Sequence, residues 1–414
     1  MLFEHINERV SFLCLICLNF DPKIDDYTLD INNIDGLIKK IGNANLIEEF
    51  EILNSLEDQE ENTKRRAKDF KHLKKNRYSD IIPYYENMIK LKSKEYINAS
   101  IVKVRDFIIL KIGSIDENFI SSQGPLENTT SDFWEMVIEN NVNLIIMLCN
   151  TYESGRLKCH KYWPGKETKI KIDNSYNIVE LISEEKFNDV KSLCIRKFSI
   201  KNVKTDNELM KVNQIHFTGW PDHGVPDVEN TFPIMNKMFI YVNESMKRNS
   251  PVVVHCSAGI GRTGTFISSY LNWNLINKIF DAQLEQIKNV DINKEIDKIN
   301  LNKKNDYENS KDIEKKYNNI IENDKNINYY EKSKYYDDSK FSNNSENYND
   351  FKKLNKNIDN NKLSNKFSIF KSVLCIKSAR CYSVENPDQY KFIYDLIKLH
   401  LKNKASKLLN KISH

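Results

Sequence analysis

The chain has 414 residues, a length that allows one large domain or two smaller ones. Its formal net charge is +4 with 29% charged residues, a mildly basic balance that gives no reason to expect nucleic-acid binding. No apolar run reaches the ~20 residues of a spanning helix, so no integral membrane segment is expected. The nearest run, Val10 to Phe20, is expected to pack on the main domain, with membrane association as the alternative.

Irregular cysteine spacing favours free thiols over a disulfide framework. The eight cysteines are Cys14, Cys17, Cys149, Cys159, Cys194, Cys256, Cys375 and Cys381. The first two have the spacing of a redox or half-zinc motif, but no second pair with ligand spacing accompanies them. We therefore expect an intracellular protein, cytoplasmic or else nuclear.

The first part of the chain is predicted to be helical and then to form strands. Residues 1–33 are an N-terminal extension, and from Ile34 to Leu56 apolar residues recur at helical spacing. The β-branched residues between Tyr96 and Ile112 predict strands, and Ser131 or Asp132 caps a predicted helix.

Strands and helices alternate in the middle of the chain. The continuous apolar run from Val142 to Leu148 predicts a buried strand. Further strands are predicted around Ile178–Ile182, Val190–Ile200, Met210–Phe217 and Pro251–Val254, with helices at Asn230–Met246 and from Thr263 onward. This alternation predicts an α/β domain with a largely covered sheet.

Composition changes abruptly between Asp281 and Lys366, where Gly, Pro, Cys, His, Trp, Met, Thr and Arg are all absent. Such a segment cannot bury enough apolar surface to offset its ordering entropy, so 281–366 is predicted to be a disordered insertion. Patterned sequence returns at Phe367, and Pro387 favours a helix start. We predict one domain in two parts, 34–280 and 367–403, and a basic tail, 404–414.

The main chemical signal is the stretch PVVVHCSAGIGRTGTF, residues 251–266. An apolar strand leads into a glycine-bearing loop with Cys256 at its start and Arg262 near its end, and a helix follows. Backbone N–H groups of such a loop, with the helix dipole, form a seat for a dianion such as phosphate. The same field favours the thiolate of the cysteine, and the arginine offers a planar fork for two phosphate oxygens.

Two other interpretations of this stretch are weaker. Gly259, Gly261 and Gly264 also satisfy a dinucleotide-binding fingerprint, but a polar low-complexity tract follows in place of a βαβ unit. A merely buried cysteine beside a glycine turn does not account for the full pattern HCSAGIGRTG. That pattern resembles the signature loop of the cysteine-based protein tyrosine phosphatases.

A second motif, WPDHGVP at residues 220–226, places a carboxylic acid on a short loop framed by Gly and Pro. A thiolate that attacks an aryl phosphate needs a proton donor for the leaving oxygen. The motif resembles the family's mobile acid loop, which implies that Asp222 is the general acid and that Trp220 lies at the hinge.

Further motifs extend the resemblance from about Ile34 to Leu401 apart from the insertion. They are NRYSD at 76–80, EYINAS at 95–100, FISSQGPL at 119–126, DFW at 132–134 and LKCHKYWP at 157–164. The resemblance implies that Tyr78 walls a deep phosphotyrosine pocket and that Asp80 holds the peptide backbone. It also implies that Glu153 steadies the catalytic arginine and that Lys158 contacts the acid loop.

The chain is thus identified as resembling a tyrosine-specific phosphatase of non-receptor type, which implies a central twisted mixed β-sheet flanked by helices. The phosphate would be bound by the loop residues Ser257, Ala258, Gly259, Ile260, Gly261 and Arg262. His255 would orient this loop, and the hydroxyl of Thr263 would hydrogen-bond the sulfur.

One position departs from the family pattern. In the segment RCYSVENPDQYKFIY, residues 380–394, the family's second glutamine matches Gln389, but Glu385 stands where a glutamine normally places the hydrolytic water. A carboxylate beside a phosphocysteine adds like-charge repulsion. We therefore expect a functional enzyme whose dephosphorylation step is slow. Tyr382 also replaces a small residue, which would narrow the substrate groove.

These residues predict phosphotyrosine hydrolysis through a phosphocysteine, with phosphotyrosine-containing proteins as substrates. This mechanism implies that no metal and no cofactor is needed. Three alternatives remain open. A phosphoinositide phosphatase usually carries lysines within the loop, which are absent here, and a dual-specificity phosphatase would lack the pocket wall. A catalytically weakened phosphotyrosine-binding module would lose Cys256 or Asp222, and only Glu385 keeps that option open.

Overall fold

The computed structural model describes residues 29–30, 34–42, 44–61, 66–67, 70–93, 95–103, 118–173, 175–187, 192–222, 224–303 and 366–412. The chain divides into two units, Met1–Asn277 with Leu363–His414, and Lys278–Lys362. The described strands and helices lie in the first unit, except for the far end of one helix, which lies in the second.

Thirteen strands lie within the described residues. They are β1 (Leu29–Asp30), β2 (Met88–Lys90), β3 (Tyr96–Lys103), β4 (Asn118–Ser122), β5 (Leu144–Met147), β6 (Tyr152–Glu153), β7 (Arg156–Leu157), β8 (Lys169–Lys171), β9 (Asn177–Lys186), β10 (Leu193–Asn202), β11 (Asn207–Phe217), β12 (Val252–His255) and β13 (Lys366–Phe367). Nine of them form one sheet in the order β2-β3-β4-β12-β5-β11-β10-β9-β8, while β1 pairs with β13 and β6 with β7.

Seven α-helices accompany the sheet in the described part of the chain. They are α1 (Ile34–Gly42), α2 (Leu46–Glu61), α3 (Thr130–Glu139), α4 (Val228–Met246), α5 (Gly261–Lys303), α6 (Ile369–Ala379) and α7 (Pro387–Ile412). Helices α3 and α6 pack on β3, α4 packs on β5 and β12, and α7 packs on α1, α2 and α4. None of the helices within the described ranges is both long and apolar enough to cross a membrane.

The middle of the sheet positions the site. Strands β4, β12, β5 and β11 run parallel, whereas the outer strands pair antiparallel. Because parallel strands end at the same edge, His255 at the end of β12 lies between Ser122 of β4 and Met147 of β5. The valines of β12 are fully buried, so this strand forms part of the core.

The predicted α/β class, with a central mixed sheet flanked by helices, is confirmed. The expected strand from Tyr96 ends at Lys103, and 104–117 lie outside the described residues. The segment 281–366 is predicted to be a disordered insertion, but its first part is helical, because α5 continues without interruption to Lys303. The rest of that segment, 304–365, lies outside the described residues, as do Val10 to Phe20, Cys14 and Cys17.

Candidate active site

The loop between β12 and α5 begins with Cys256, which is buried, and winds tightly against the end of β4. Gly259 has a positive φ of 72°, and a Cβ built on it would lie 2.1 Å from the carbonyl oxygen of Ser122. A side chain at this position would therefore meet both backbone strain and a collision. Only glycine allows the loop to approach β4 so closely.

The carbonyl groups of this loop all point to protein donors. The donors are His255 Nδ1 for Cys256, Gly124 N for Ser257, Arg380 Nη2 for Ala258, Arg380 Nε and Ser121 Oγ for Gly259, Gly264 N for Ile260, and Thr265 Oγ1 for Gly261. The described peptide bonds are all trans, so each following N–H points away from its carbonyl. The N–H groups of residues 257–262 therefore face the opposite side, where the Gly259 N–H donates to Cys256 Sγ at 3.3 Å. This arrangement forms a concave seat for an anion above the thiol.

Arg262 lies in the first turn of α5 and is held on both sides of its guanidinium. Nη1 and Nη2 donate to the two carboxylate oxygens of Glu153 at 2.7 and 2.8 Å, and Nη1 also donates to the Leu148 carbonyl at 3.1 Å. Burial alone would lower the pKa of Arg262, but the hydrogen bonds to Glu153 and the nearby Cys256 raise it above its usual value. A bidentate pair of this kind fixes the plane of the guanidinium.

Asp222 lies close to this arginine. Its Oδ1 accepts from Lys158 Nζ at 3.0 Å and from Arg262 Nη2 at 3.3 Å. Trp220 is buried, donates through Nε1 to the Gly224 carbonyl at 3.1 Å and packs on Phe392 at 5.4 Å between ring centroids. The indole thus anchors one end of the loop that carries the carboxylate.

The NRYSD segment lies beside the loop. Tyr78 Oη donates to Ser257 Oγ at 2.9 Å, and Ser257 Oγ donates in turn to the Lys158 carbonyl at 2.8 Å. Arg77 supports the segment through hydrogen bonds to the carbonyls of Gly124, Pro125 and Leu157 at 2.7–3.1 Å. Asp80 is exposed, so its carboxylate can meet a ligand from solution.

Glu385 and Gln389 lie against the loop at Gly261. Gln389 Oε1 accepts from the Glu385 N–H at 2.8 Å. A Cβ built on Gly261 would lie 2.7 Å from Glu385 Oε2 and 2.8 Å from Gln389 Nε2. Both side chains therefore touch the phosphate-seat backbone at Gly261.

Thr263 differs from expectation. Its hydroxyl is fully buried and has no hydrogen-bond partner among the described residues, so the expected bond to Cys256 Sγ is not formed. Thr263 lies near the start of α5, and its side chain is fully buried.

His255 is buried completely and links the loop to the sheet. Nε2 lies 2.8 Å from Tyr162 Oη, and Nδ1 lies 3.1 Å from the Cys256 carbonyl oxygen. Burial lowers the pKa of His255 to about 3, so the ring is neutral near pH 7. Among the described residues, no three His, Cys, Asp or Glu side chains come together as metal ligands would.

Two functional residues were not singled out from the sequence. Arg380 is fully buried, and it holds the carbonyls of Ala258 and Gly259 while also donating to Asn98 Oδ1 at 2.9 Å. Arg380 is the first residue of the segment RCYSVENPDQYKFIY, which also contains Glu385. Its place in that segment is the sequence signal that could have identified it. Arg77 is the second, and its position inside NRYSD is a similar signal.

The comparisons with known proteins agree with this geometry. The family model described as protein-tyrosine phosphatase matches residues 72–322, more than half of the chain. Receptor-type tyrosine-protein phosphatase eta of Homo sapiens is 40% identical over 203 residues, 47% of this chain and 14% of that protein. Tyrosine-protein phosphatase non-receptor type 4 of Mus musculus is 36% identical over 198 residues, 48% of this chain and 20% of that protein.

A third relative has a different name. The protein called phosphatidylinositol phosphatase PTPRQ in Rattus norvegicus is 36% identical over 203 residues, 47% of this chain and 8% of that protein. The chain thus spans a minor part of the length of the curated relatives that it matches.

Proposed function

The chain belongs to the protein-tyrosine phosphatase family, and on that premise we propose that it hydrolyses phosphotyrosine in proteins through a phosphocysteine intermediate. The observation that carries this proposal is the seat itself. Cys256 lies beneath the backbone N–H groups of residues 257–262, and Arg262 with the carboxylate of Asp222 lies beside it.

In the first step the Cys256 thiolate attacks phosphorus. The S–P bond forms while the bond from phosphorus to the tyrosine oxygen breaks, and Asp222 transfers its proton to that oxygen. The loop N–H groups and the Arg262 guanidinium stabilise the equatorial oxygens of the phosphoryl group. Lys158 and Arg262 hold the Asp222 carboxyl beside the phosphate seat, and this position supports its role as the proton donor.

In the second step water attacks the phosphocysteine. The S–P bond breaks, the thiolate leaves, and the proton of the water passes to the Asp222 carboxylate. Gln389 and Glu385 both touch the seat at Gly261, so either can orient this water. We propose that Gln389 does so, and that the carboxylate of Glu385 slows the step through repulsion of the phosphocysteine dianion.

Selection of phosphotyrosine over shorter phosphoresidues is assigned to Tyr78 and Asp80. The contact of Tyr78 with Ser257 supports a pocket wall that rises from the edge of the phosphate seat. The exposed carboxylate of Asp80 can accept a hydrogen bond from a peptide backbone. His255, Glu153, Trp220 and Lys158 are proposed to support the reacting groups.

We further propose that the phosphatase domain comprises 34–280 and 367–403, separated by the low-complexity segment. Six cysteines within the described residues are free thiols, in keeping with a reducing compartment, the cytoplasm or the nucleus.

The test compares hydrolysis of a phosphotyrosyl peptide and a phosphoseryl peptide of the same sequence by the full chain. Cys256→Ser should abolish hydrolysis, and Asp222→Ala should lower kcat by roughly 10²–10⁴-fold. Cys194→Ser, which removes a buried thiol on β10 away from the seat, is the matched control and should retain activity.

Each competing function has its own outcome in this assay. Equal rates on both peptides would indicate a dual-specificity phosphatase. Binding of the phosphotyrosyl peptide without turnover would indicate a weakened binding module. Preference for a phosphatidylinositol phosphate in a parallel arm would indicate a lipid phosphatase, the activity in the name of one relative.

A further inference from the structure

A chain of buried polar side chains crosses the sheet from β10 to the candidate nucleophile. Arg196 on β10 donates through Nη1 to Gln214 Oε1 on β11 at 2.9 Å. Gln214 Nε2 lies 2.7 Å from Tyr162 Oη, which lies 2.8 Å from His255 Nε2. His255 Nδ1 then meets the Cys256 carbonyl at 3.1 Å. The four side chains of this series, those of Arg196, Gln214, Tyr162 and His255, are all buried.

The direction of each hydrogen bond in this series is set from both ends, because the Arg196 guanidinium only donates and the Cys256 carbonyl only accepts. A guanidinium only donates, so Gln214 must present its oxygen to Arg196 and its NH₂ group to Tyr162. The Tyr162 oxygen therefore accepts from Gln214, and its own proton must go to His255 Nε2. A neutral imidazole with an accepting Nε2 carries its proton on Nδ1, and this N–H donates to the Cys256 carbonyl.

A second arm leaves the same guanidinium nitrogen. Arg196 Nη1 lies 3.3 Å from His216 Nδ1, and His216 Nε2 lies 2.8 Å from the Cys149 carbonyl. Burial lowers the pKa of His216 to about 4, so its ring is neutral near pH 7. Since Nδ1 accepts from the arginine, the Nε2–H of His216 donates to the carbonyl of Cys149. Cys149 follows Leu148, whose carbonyl accepts a hydrogen bond from Arg262.

The arginine is itself fixed from the other side. Its Nε donates to Glu184 Oε2 on β9 at 2.6 Å, and its guanidinium lies 4.6 Å from the centroid of the Trp163 ring. Burial would raise the pKa of Glu184, but the hydrogen bond from Arg196 holds that pKa below its usual value. The ion pair therefore persists near neutral pH.

We propose that Arg196 is a positioning residue of the active centre, because its obligate donation directs both arms from the end opposite to the carbonyls and so stabilises the His255 tautomer with the proton on Nδ1. The anchored Cys256 carbonyl holds the Cys256–Ser257 peptide plane, which turns the Ser257 N–H into the phosphate seat. Hydrogen bonding at the carbonyl also polarises this peptide and strengthens its N–H as a donor. The inference deepens the proposed function and rests on it for its catalytic meaning.

The test replaces Arg196 with glutamine, which can donate or accept and so leaves the direction of the hydrogen bonds to be set by the Cys256 carbonyl alone. Arg196→Lys restores an obligate donor and is the conservative rescue. The tautomer of His255 is read by ¹⁵N NMR of the histidine-labelled full chain, with the His255 signal assigned from a His255→Asn spectrum. A second readout is the dissociation constant for inorganic phosphate.

The wild type should show a single tautomer of His255, with the proton on Nδ1. Arg196→Gln should show a mixture of the two tautomers and a phosphate dissociation constant raised roughly fivefold, the loss of about one modest hydrogen bond. Arg196→Lys should move both readouts back toward the wild type. Ile200→Ala creates a cavity on the same strand, at a residue that takes no part in the hydrogen-bonded series. It should lower stability and change neither readout.

An unchanged His255 tautomer and phosphate affinity in Arg196→Gln would overturn the proposal. Gln214→Leu removes the next hydrogen-bonding side chain of the same arm and should have the same effect on the His255 tautomer and on phosphate affinity. It therefore replaces Arg196→Gln if that variant does not fold. Neither readout requires turnover. A wild type that binds phosphate but hydrolyses no phosphotyrosine would contradict the proposed function and leave the role of Arg196 standing.

Discussion

Two buried neutral histidines should make the folded state sensitive to mild acid. The pKa of His216 falls from 6.5 to about 4 and that of His255 from 6.5 to about 3, in both cases first because burial disfavours the charged ring. Below about pH 6.5 the unfolded chain takes up protons at both rings while the folded chain does not. Their contribution to stability is therefore complete above that pH and decreases as the pH falls toward the folded-state pKa values.

The size of the effect follows from the two shifts. A pH of about 5 lies roughly 1.5 units below the unfolded-state pKa of each histidine and still above its folded-state pKa. At 1.36 kcal/mol per unit, each ring removes about 2 kcal/mol, so the free energy of unfolding should fall by about 4 kcal/mol between pH 7.5 and pH 5 from these groups alone.

Urea unfolding followed by tryptophan fluorescence at both pH values measures this difference. The matched variant carries His216→Gln and His255→Asn, which keep polar groups but do not titrate. Its loss of stability over the same interval should be about 4 kcal/mol smaller than that of the wild type. An equal loss in the two proteins would refute the argument that burial keeps these rings neutral.

Three substitutions test the site directly. Glu385→Gln should speed the second step, so the steady rate should rise toward the burst rate; unchanged burst and steady rates would remove the role of this carboxylate. Gly259→Ala should cost at least about 2 kcal/mol of stability, whereas Gly155→Ala, with a similar φ of 74° and open space around it, should cost only about 1 kcal/mol; equal costs would show that the contact with β4 is unimportant. Glu153→Gln should lower kcat/KM roughly 10–100-fold by loosening Arg262, and a crystal structure with the guanidinium unmoved would contradict that reason.

Local motifs allowed much of the candidate site to be predicted. The strand, loop and helix around Cys256 lie within one continuous stretch, and their hydrophobic pattern and glycines specify the turn. Asp222 and Tyr78 lie far from that stretch in sequence, and their place beside it came from the family resemblance. The structure brings Asp222 to Arg262 and Tyr78 to Ser257.

The remaining features depend on packing between distant segments. Arg380 reaches the loop carbonyls only because α6 packs on the sheet, and no local pattern records that contact. The network around Arg196 depends on the pairing of β10 with β11, which places Arg196 opposite Gln214.

In the proposed reaction, Cys256 carries the phosphoryl group between the two steps. Rapid acid quenching of the full chain with a phosphotyrosyl peptide, followed by mass analysis of peptic fragments, tests it most directly. We predict one phosphoryl group on the fragment that contains Cys256, formed before the first turnover is complete and absent in Cys256→Ser. Turnover without a phosphorylated Cys256, or with the phosphoryl group on another residue, would contradict the mechanism.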